Sequence, residues 1–149
     1  MTHKELVKKA AHWAKGRHGI VLEERYGLTE NPDVLGFSYA YSTLIEVKVT
    51  RADFLRDKRK FARRDGKWCM GNYRVYCIPK GLLTEDDIPE RWGLLEVYPS
   101  GYIRLRVNIY KGWRGVDWWH TLSADALLSE RRMLYNHFFA IPESTGEIY

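Results

Sequence analysis

Two charged residues interrupt the most regular strand pattern in the chain, and their spacing limits how that segment can fold. Residues 43–50, TLIEVKVT, alternate in side-chain type, and alternation with a period of two is typical of a β-strand. Because successive side chains of a strand point to opposite faces, Glu46 and Lys48 share one face and the neighbouring β-branched residues share the other. The apolar face must pack in a core, so the pattern predicts that the glutamate and the lysine are held side by side.

A second strand precedes this one and carries an aspartate at its start. The segment DVLGFSY begins at Asp33, directly after the turn-forming Pro32. A hairpin with a tight turn near Tyr39 and Ala40 places residue 33 opposite residue 46, and directly opposed residues point to the same side with Cβ atoms about 4.5–5.5 Å apart. We therefore expect Asp33 and Glu46 to converge, whereas a register shifted by one residue would send Asp33 to the other face.

The remaining patterns predict one α/β domain with a mixed sheet, flanking helices and a C-terminal helix. Apolar residues at helical spacing predict a helix over residues 3–16, a basic amphipathic helix over 51–64, and a C-terminal helix that begins after Ser123 as its N-cap. Short apolar runs predict further strands at 20–22, at 72–79 and on both sides of the Pro-Ser-Gly turn at 99–101.

Composition indicates a globular protein rather than a disordered or membrane-spanning one. The chain has 149 residues, of which 45% are hydrophobic and 29% are charged, and a chain of this length most simply forms one domain with its own core. No apolar run approaches the roughly 20 residues that span a bilayer, and the basic N-terminus lacks the apolar block of a signal peptide. We therefore expect a cytoplasmic protein with no membrane partner, in which Cys69 and Cys77 are reduced thiols.

The expected convergence of two carboxylates and a lysine suggests a metal-binding site. Two carboxylates held close together repel each other unless a positive group joins them, and a hard divalent cation such as Mg²⁺ or Mn²⁺ suits clustered oxygen ligands. Such a cation can promote phosphodiester hydrolysis, with Lys48 positioning the attacking water or offsetting charge in the transition state. A solvated strand face with an ordinary glutamate–lysine pair is the simpler explanation of the same spacing.

These residues resemble a known family. Asp33, followed by Glu46-Val47-Lys48 on a strand that leads into a helix, resembles the core of the PD-(D/E)xK nuclease superfamily. The longer run NPDVLGF, LIEVKVTRADFLRDKRKFAR and YRVYCIP looks like the small MmcB-like DNA-repair proteins and related bacterial and phage proteins. The resemblance covers about residues 1–107, and residues 108–149 form a C-terminal extension outside it.

The resemblance implies a restriction-endonuclease-like αβββαβ core and a metal-dependent DNA nuclease. It implies that Asp33 and Glu46 hold Mg²⁺ or Mn²⁺ and that Lys48 assists catalysis. Many members carry an additional acidic ligand, for which Glu5 and Glu24 are candidates between which the sequence does not choose. A homodimer is a further expectation by analogy with other small nucleases.

A concentration of positive charge follows the Glu-Val-Lys element. The net charge is +5, and residues 51–67 alone carry eight Lys or Arg against three Asp, which favours a polyanionic partner such as DNA. The candidate DNA-binding residues are Arg51, Arg56, Lys58, Arg59, Lys60, Arg63 and Arg64. A charge run of this kind is also compatible with the solvated face of a helix.

Two alternative hypotheses assign the chain the same fold but no catalytic activity. One is a DNA-binding protein that does not cleave, and the other is a phage interaction protein that acts against a host defence. The intact triad favours the enzyme, because two carboxylates beside a phosphate path repel it unless a metal is bound.

Overall fold

The structure is a computed structural model that describes residues 1–60, 67–110 and 117–139. Its helices and strands, in chain order, are α1 (His3–Lys15), β1 (Ile20–Glu23), β2 (Val34–Phe37), β3 (Ser42–Val47), α2 (Arg51–Lys58), β4 (Tyr73–Pro79), β5 (Gly93–Val97), β6 (Ile103–Val107) and α3 (Ala124–Phe139). The strands form one mixed sheet in the order β1-β2-β3-β4-β5-β6. The expected α/β class, the αβββαβ order of the first elements and the C-terminal helix are confirmed.

The β2–β3 hairpin has the register that the sequence predicts. The two strands are antiparallel, and Val34 pairs with Ile45. The turn lies where it is expected, since the backbone N–H of Ser38 donates to the carbonyl oxygen of Tyr41 at 2.8 Å. Continued by one residue, this register sets Asp33 opposite the residue that follows Ile45, which is Glu46.

The central strands run parallel, which directs their carboxyl ends to one edge of the sheet. β3 pairs in parallel with β4, and β4 pairs in parallel with β5. Parallel neighbours need a crossover connection, and α2 lies in the crossover from β3 to β4. Lys48 is the first residue after β3, so it lies at this edge, where its backbone N–H donates to the carbonyl oxygen of Cys77 at 3.0 Å.

The two faces of the sheet are covered by different helices. The first core packs α1, through Leu6, Val7 and Ala10, against one face. The second packs α2 through Phe54, and α3 through its own buried side chains, against the other. Glu46 pairs with Tyr76 of β4, a member of the second core, and therefore faces α2.

Two buried polar side chains attach α3 to the rest of the domain. The Glu130 carboxylate accepts from the hydroxyl of Ser42 at 2.9 Å and from the backbone N–H of Gly71 at 2.8 Å. The Ser129 hydroxyl accepts from the backbone N–H of Leu28 at 2.8 Å. The expected N-cap of this helix is confirmed, because Ser123 accepts from the backbone N–H of Ala126.

The basic helix is shorter within the described residues than its sequence pattern predicts. It begins at Arg51, capped by the Thr50 side chain, and ends at Lys58 with Arg59 as its C-cap. The rest of the predicted span falls partly on residues 61–66, which lie outside the described part. Cys69 and Cys77 are both free and buried. In the described ranges, no helix is both long and apolar enough to cross a membrane.

Candidate functional site

A cleft of about 340 Å³ opens at the carboxyl end of β3, between the sheet and α2. Its lining is strongly charged. The lining residues are His3, Asn31, Asp33, Glu46, Val47, Lys48, Asp53, Arg56, Asp57 and Lys60. The three residues that the sequence predicts as catalytic, Asp33, Glu46 and Lys48, therefore meet in one cleft.

The Asp33 carboxylate is oriented by the backbone of the neighbouring strand. Its Oδ2 atom accepts a hydrogen bond of 2.8 Å from the backbone N–H of Val47. Its Oδ1 atom lies 3.3 Å from Nε2 of His3, and the Asp33 side chain is 18% exposed. One oxygen is therefore fixed by the sheet, while the other contacts His3, which also lines the cleft.

Glu46 and Lys48 are buried although both are charged. Their residues are 4% and 8% exposed, and the Lys48 Nζ atom lies 3.8 Å from Oε2 of Glu46. Removing charged groups from water costs free energy unless opposite charges compensate. The two groups compensate each other in part, within a wall of the cleft that admits little water.

Asp57 is a member of the cleft that the sequence analysis did not single out. It is fully buried on α2, and its Oδ1 atom lies 3.3 Å from Nζ of Lys48. The sequence held one weak signal, because Asp57 follows the apolar Phe54 by three residues and so shares its helix face. The surrounding run of charged residues hid this signal, because each acid in the run could equally form an exposed ion pair with a nearby lysine or arginine.

A histidine and a second glutamate lie beside Asp33. Ligand atoms of His3, Glu24 and Asp33 all lie within 4.8 Å of one another, and Nδ1 of His3 is 3.8 Å from Oε1 of Glu24. Nothing in the sequence pattern distinguished His3 from the other polar residues of α1. Of the two acidic candidates for an additional ligand, Glu24 is the one that the fold brings to Asp33.

Glu5 lies elsewhere and has a structural explanation. Its backbone N–H donates to the Thr2 hydroxyl and its carboxylate accepts from the Thr2 backbone N–H, each at 3.2 Å. This reciprocal arrangement is a capping box that satisfies two free N–H groups at the start of α1. Glu5 lines a separate cleft with Lys80 and Pro99, so the structure does not bring it to Asp33.

The donor set around Asp33 fits a divalent cation. Asp33 and Glu24 offer carboxylate oxygens and His3 offers an imidazole nitrogen, all within 4.8 Å of one another. Glu46 lines the same cleft but is not a member of this group. Oxygen ligands suit Mg²⁺, whereas a mixed oxygen and imidazole set also suits Mn²⁺ and other transition metals. The site provides no reactive thiol, because burial raises the pKa of Cys77, on the neighbouring strand, to about 12 and keeps that sulfur protonated.

Two of the candidate DNA-binding residues are exposed but already paired with an acid. Arg51 forms two hydrogen bonds with Asp87, the shorter at 2.9 Å, and Arg56 is paired with Asp53. Hydrogen bonding with the Thr50 side chain, and then the Arg56 charge, lowers the pKa of Asp53.

The other described residues of the basic set lie at the end of α2. Lys58 and Arg59 are exposed, and the Lys58 ammonium lies 5.5 Å from the centre of the Phe54 ring. Lys60 lines the cleft, 3.4 Å from Oδ1 of Asp57. Residues 63 and 64, both arginines in the predicted set, lie outside the described part. Arg56 and Lys60 therefore extend the positive charge of α2 into the cleft itself.

Comparison with known proteins identifies a similar fold and no family. A Silicibacter pomeroyi protein of unknown function matches with a TM-score of 0.65 over 94% of this chain and 89% of its own length. The sequence identity is 16%, so the likeness concerns the fold alone. No family model and no curated protein matches the chain.

Proposed function

We propose that this chain is a metal-dependent nuclease of the PD-(D/E)xK type that hydrolyses DNA phosphodiester bonds. The observation that carries the proposal is the meeting of Asp33, Glu46 and Lys48 in one cleft at the carboxyl end of a central strand. Charged groups that are buried together in a cleft are characteristic of functional sites, because their burial costs stability that a purely structural residue would avoid.

Each residue of the triad has a role that follows from its surroundings. Asp33 and Glu46 would hold Mg²⁺ or Mn²⁺, which would supply a Lewis acid for the phosphate and an activated water. The hydrogen bond from Val47 keeps the Asp33 carboxylate turned toward the cleft. Lys48, whose ammonium is 3.8 Å from the Glu46 carboxylate, orients the water and offsets the negative charge that develops on the phosphate. Glu24 and His3 are the additional ligands that this proposal favours.

DNA is the expected substrate because exposed cations continue from the cleft along α2. Lys58 and Arg59 are open to solvent, and contacts of this kind with the phosphate backbone bind DNA without regard to sequence. Repair, recombination or phage DNA metabolism is the setting in which such an enzyme would act. A cytoplasmic location and a homodimer remain predictions.

The proposal is tested by cleavage assays on single-stranded, double-stranded, flapped and branched DNA, with and without Mg²⁺ or Mn²⁺. Wild-type protein is compared with Asp33→Asn, Glu46→Gln and Lys48→Ala, and Glu90→Gln, an exposed acid outside the cleft, is the matched control. Metal-dependent cutting that the three variants lose and the control keeps is the expected result. Binding of DNA without cutting, under every condition and with no metal bound, would overturn it.

One observation favours the interaction-protein alternative. The C-terminal helix α3 presents exposed apolar side chains, among them Leu127, Leu128, Tyr135, Phe138 and Phe139. Exposed apolar surface of this kind is often an interaction site. A stable complex with a partner protein that persists in Asp33→Asn, together with no cleavage by the wild type, is the result that would support this alternative.

A further inference from the structure

A fully buried carboxylate lies directly behind the lysine of the triad. Asp57 has no exposed surface, and α2 turns both Asp57 and Phe54 inward against the sheet. An ionised carboxylate in such a place is costly unless it is paired and hydrogen-bonded. The contacts that compensate this cost therefore indicate what the residue is for.

The first contact fixes the carboxylate to the sheet. The hydroxyl of Tyr76 donates to Oδ2 of Asp57 at 2.5 Å. Tyr76 is itself fully buried on β4, where its ring packs between Phe54, with ring centres 5.0 Å apart, and Trp92, with ring centres 4.5 Å apart. A ring held on two sides cannot turn away, so the Asp57 carboxylate has a rigid anchor.

The second contact joins the carboxylate to the triad. The Oδ1 atom lies 3.3 Å from Nζ of Lys48 and 3.4 Å from Nζ of Lys60. The Lys60 side chain is 60% exposed, whereas that of Lys48 is 9% exposed. Water screens the exposed pair far more than the buried one, so the contact with Lys48 is the stronger restraint.

We propose that Asp57 is a positioning residue which, anchored by Tyr76, holds the Lys48 ammonium over the carboxylates of the cleft. This inference rests on the proposed nuclease function. Lysine has a flexible stem that leaves its ammonium many positions, and a catalytic group is effective only when it is held in the reactive geometry. Asp57 on one side and Glu46, at 3.8 Å, on the other restrict Lys48 to one place.

The test compares kcat, KM and the Mg²⁺ dependence of cleavage in Asp57→Asn, Tyr76→Phe and a matched control. Met133→Ala is the control, because it removes a buried apolar side chain of the second core on α3, an element that holds neither Lys48 nor Asp57 nor Tyr76. We expect Asp57→Asn to lower kcat about tenfold or more with KM and the half-maximal Mg²⁺ concentration changed less than about twofold. Met133→Ala should lower stability and leave kcat near that of the wild type.

Tyr76→Phe tests the same anchor with a smaller change, which matters if Asp57→Asn does not fold. It removes one hydroxyl and preserves the ring contacts with Phe54 and Trp92. A smaller decrease in kcat in the same direction is expected. A kcat for Tyr76→Phe equal to that of the wild type, or a loss for Asp57→Asn no larger than that for Met133→Ala, would overturn the proposal.

A measurement without DNA separates this inference from the nuclease itself. Each protein is acetylated for a short time, and the modification of Lys48 is quantified by mass spectrometry against the exposed Lys15 in the same sample. Release of the ammonium in Asp57→Asn should raise Lys48 acetylation several-fold relative to Lys15. Unchanged acetylation contradicts the positioning role, whereas wild-type protein that cuts no DNA contradicts only the proposed function.

Discussion

The Oδ2 atom of Asp33 accepts a hydrogen bond of 2.8 Å from the backbone N–H of Val47. Val47 stands between Glu46 and Lys48, so this single bond ties the aspartate of one strand to the glutamate and lysine of the next. A shift of the hairpin by one residue would break the bond and turn Asp33 away from the cleft. The site can therefore form only when the hairpin has this register.

Removing a ligand charge from the cleft is expected to abolish cleavage with little effect on folding. Asp33→Asn keeps an oxygen that can accept from Val47 but gives up the charge that holds a cation. We expect kcat to fall by roughly 10²–10³, the loss that follows removal of one electrostatic group from an active site. The assay is single-turnover cleavage beside thermal unfolding of the same sample. A variant that cuts DNA at the wild-type rate would contradict the assignment of Asp33.

The imidazole beside Asp33 predicts a preference among metals. Because imidazole nitrogen binds Mn²⁺ better than Mg²⁺, and because Nε2 of His3 lies 3.3 Å from Oδ1 of Asp33, we expect half-maximal cleavage at about tenfold less Mn²⁺ than Mg²⁺. His3→Ala should reduce this difference, whereas His12→Ala, an exposed histidine on the same helix, should preserve it. An identical metal preference in wild type and His3→Ala would remove His3 from the ligand set.

The exposed cations of α2 predict a salt-dependent affinity for DNA. Each phosphate contact contributes about 0.9 to the slope of log affinity against log salt concentration. The double variant Lys58→Ala/Arg59→Ala should therefore lower the slope by up to about 1.8. The measurement is fluorescence anisotropy with a labelled duplex in the Asp33→Asn background. Arg51→Ala should lower the slope by much less than the value of about 0.9 for one full contact, because Asp87 already pairs with that guanidinium. A decrease of about 0.9 for Arg51→Ala would contradict the effect of this pairing.

His120 predicts a loss of stability in mild acid. Burial, and then the charge of Arg74, lowers its pKa from 6.5 to about 4, so the folded state favours the neutral ring. As the pH falls from about 6.5 toward about 4, the unfolded chain binds this proton before the folded chain does, and the free energy of unfolding decreases. His120→Gln should show a smaller decrease between pH 7 and pH 5 in urea unfolding, while the exposed His137→Gln should follow the wild type. Parallel pH profiles for His120→Gln and the wild type would contradict this prediction.

A glycine beside the buried Glu130 carboxylate predicts a large cost of substitution. Gly71 has φ +84°, and a Cβ atom there would lie 2.7 Å from the backbone nitrogen of Leu44. Gly81 has a similar φ of +87° with open space around it. Both alanine variants incur about 1–3 kcal/mol of backbone strain, but Gly71→Ala adds a steric clash of about 1–3 kcal/mol more. Chemical denaturation measures both, and equal losses would show that the chain relaxes around residue 71.

The triad was predictable because its geometry is local. A strand with a period of two, a turn of known position and a proline before the aspartate define the β2–β3 pairing. Val34 does pair with Ile45. In an antiparallel pair the preceding residue, Asp33, then lies opposite the following residue, Glu46. No contact between distant parts of the chain is needed for this part of the site.

The residues around the triad were decided only by the tertiary structure. The sequence left Glu5 and Glu24 as equal candidates. The pairing of β1 with β2 brings Glu24 to Asp33, where its backbone N–H donates to the Asp33 carbonyl oxygen at 2.8 Å. The packing of Leu6 and Val7 sets the rotation of α1. That rotation carries His3 to Asp33, whereas Glu5 is held in a capping box that is local to the first turn. Asp57 likewise became part of the site because α2 turns it inward against β4, where the Tyr76 hydroxyl meets it. The alternation of side chains along a strand depends on neighbouring residues, so the sequence alone predicts it. The rotation of a helix about its axis depends on burial against residues that are distant in the chain, so the sequence alone does not predict it.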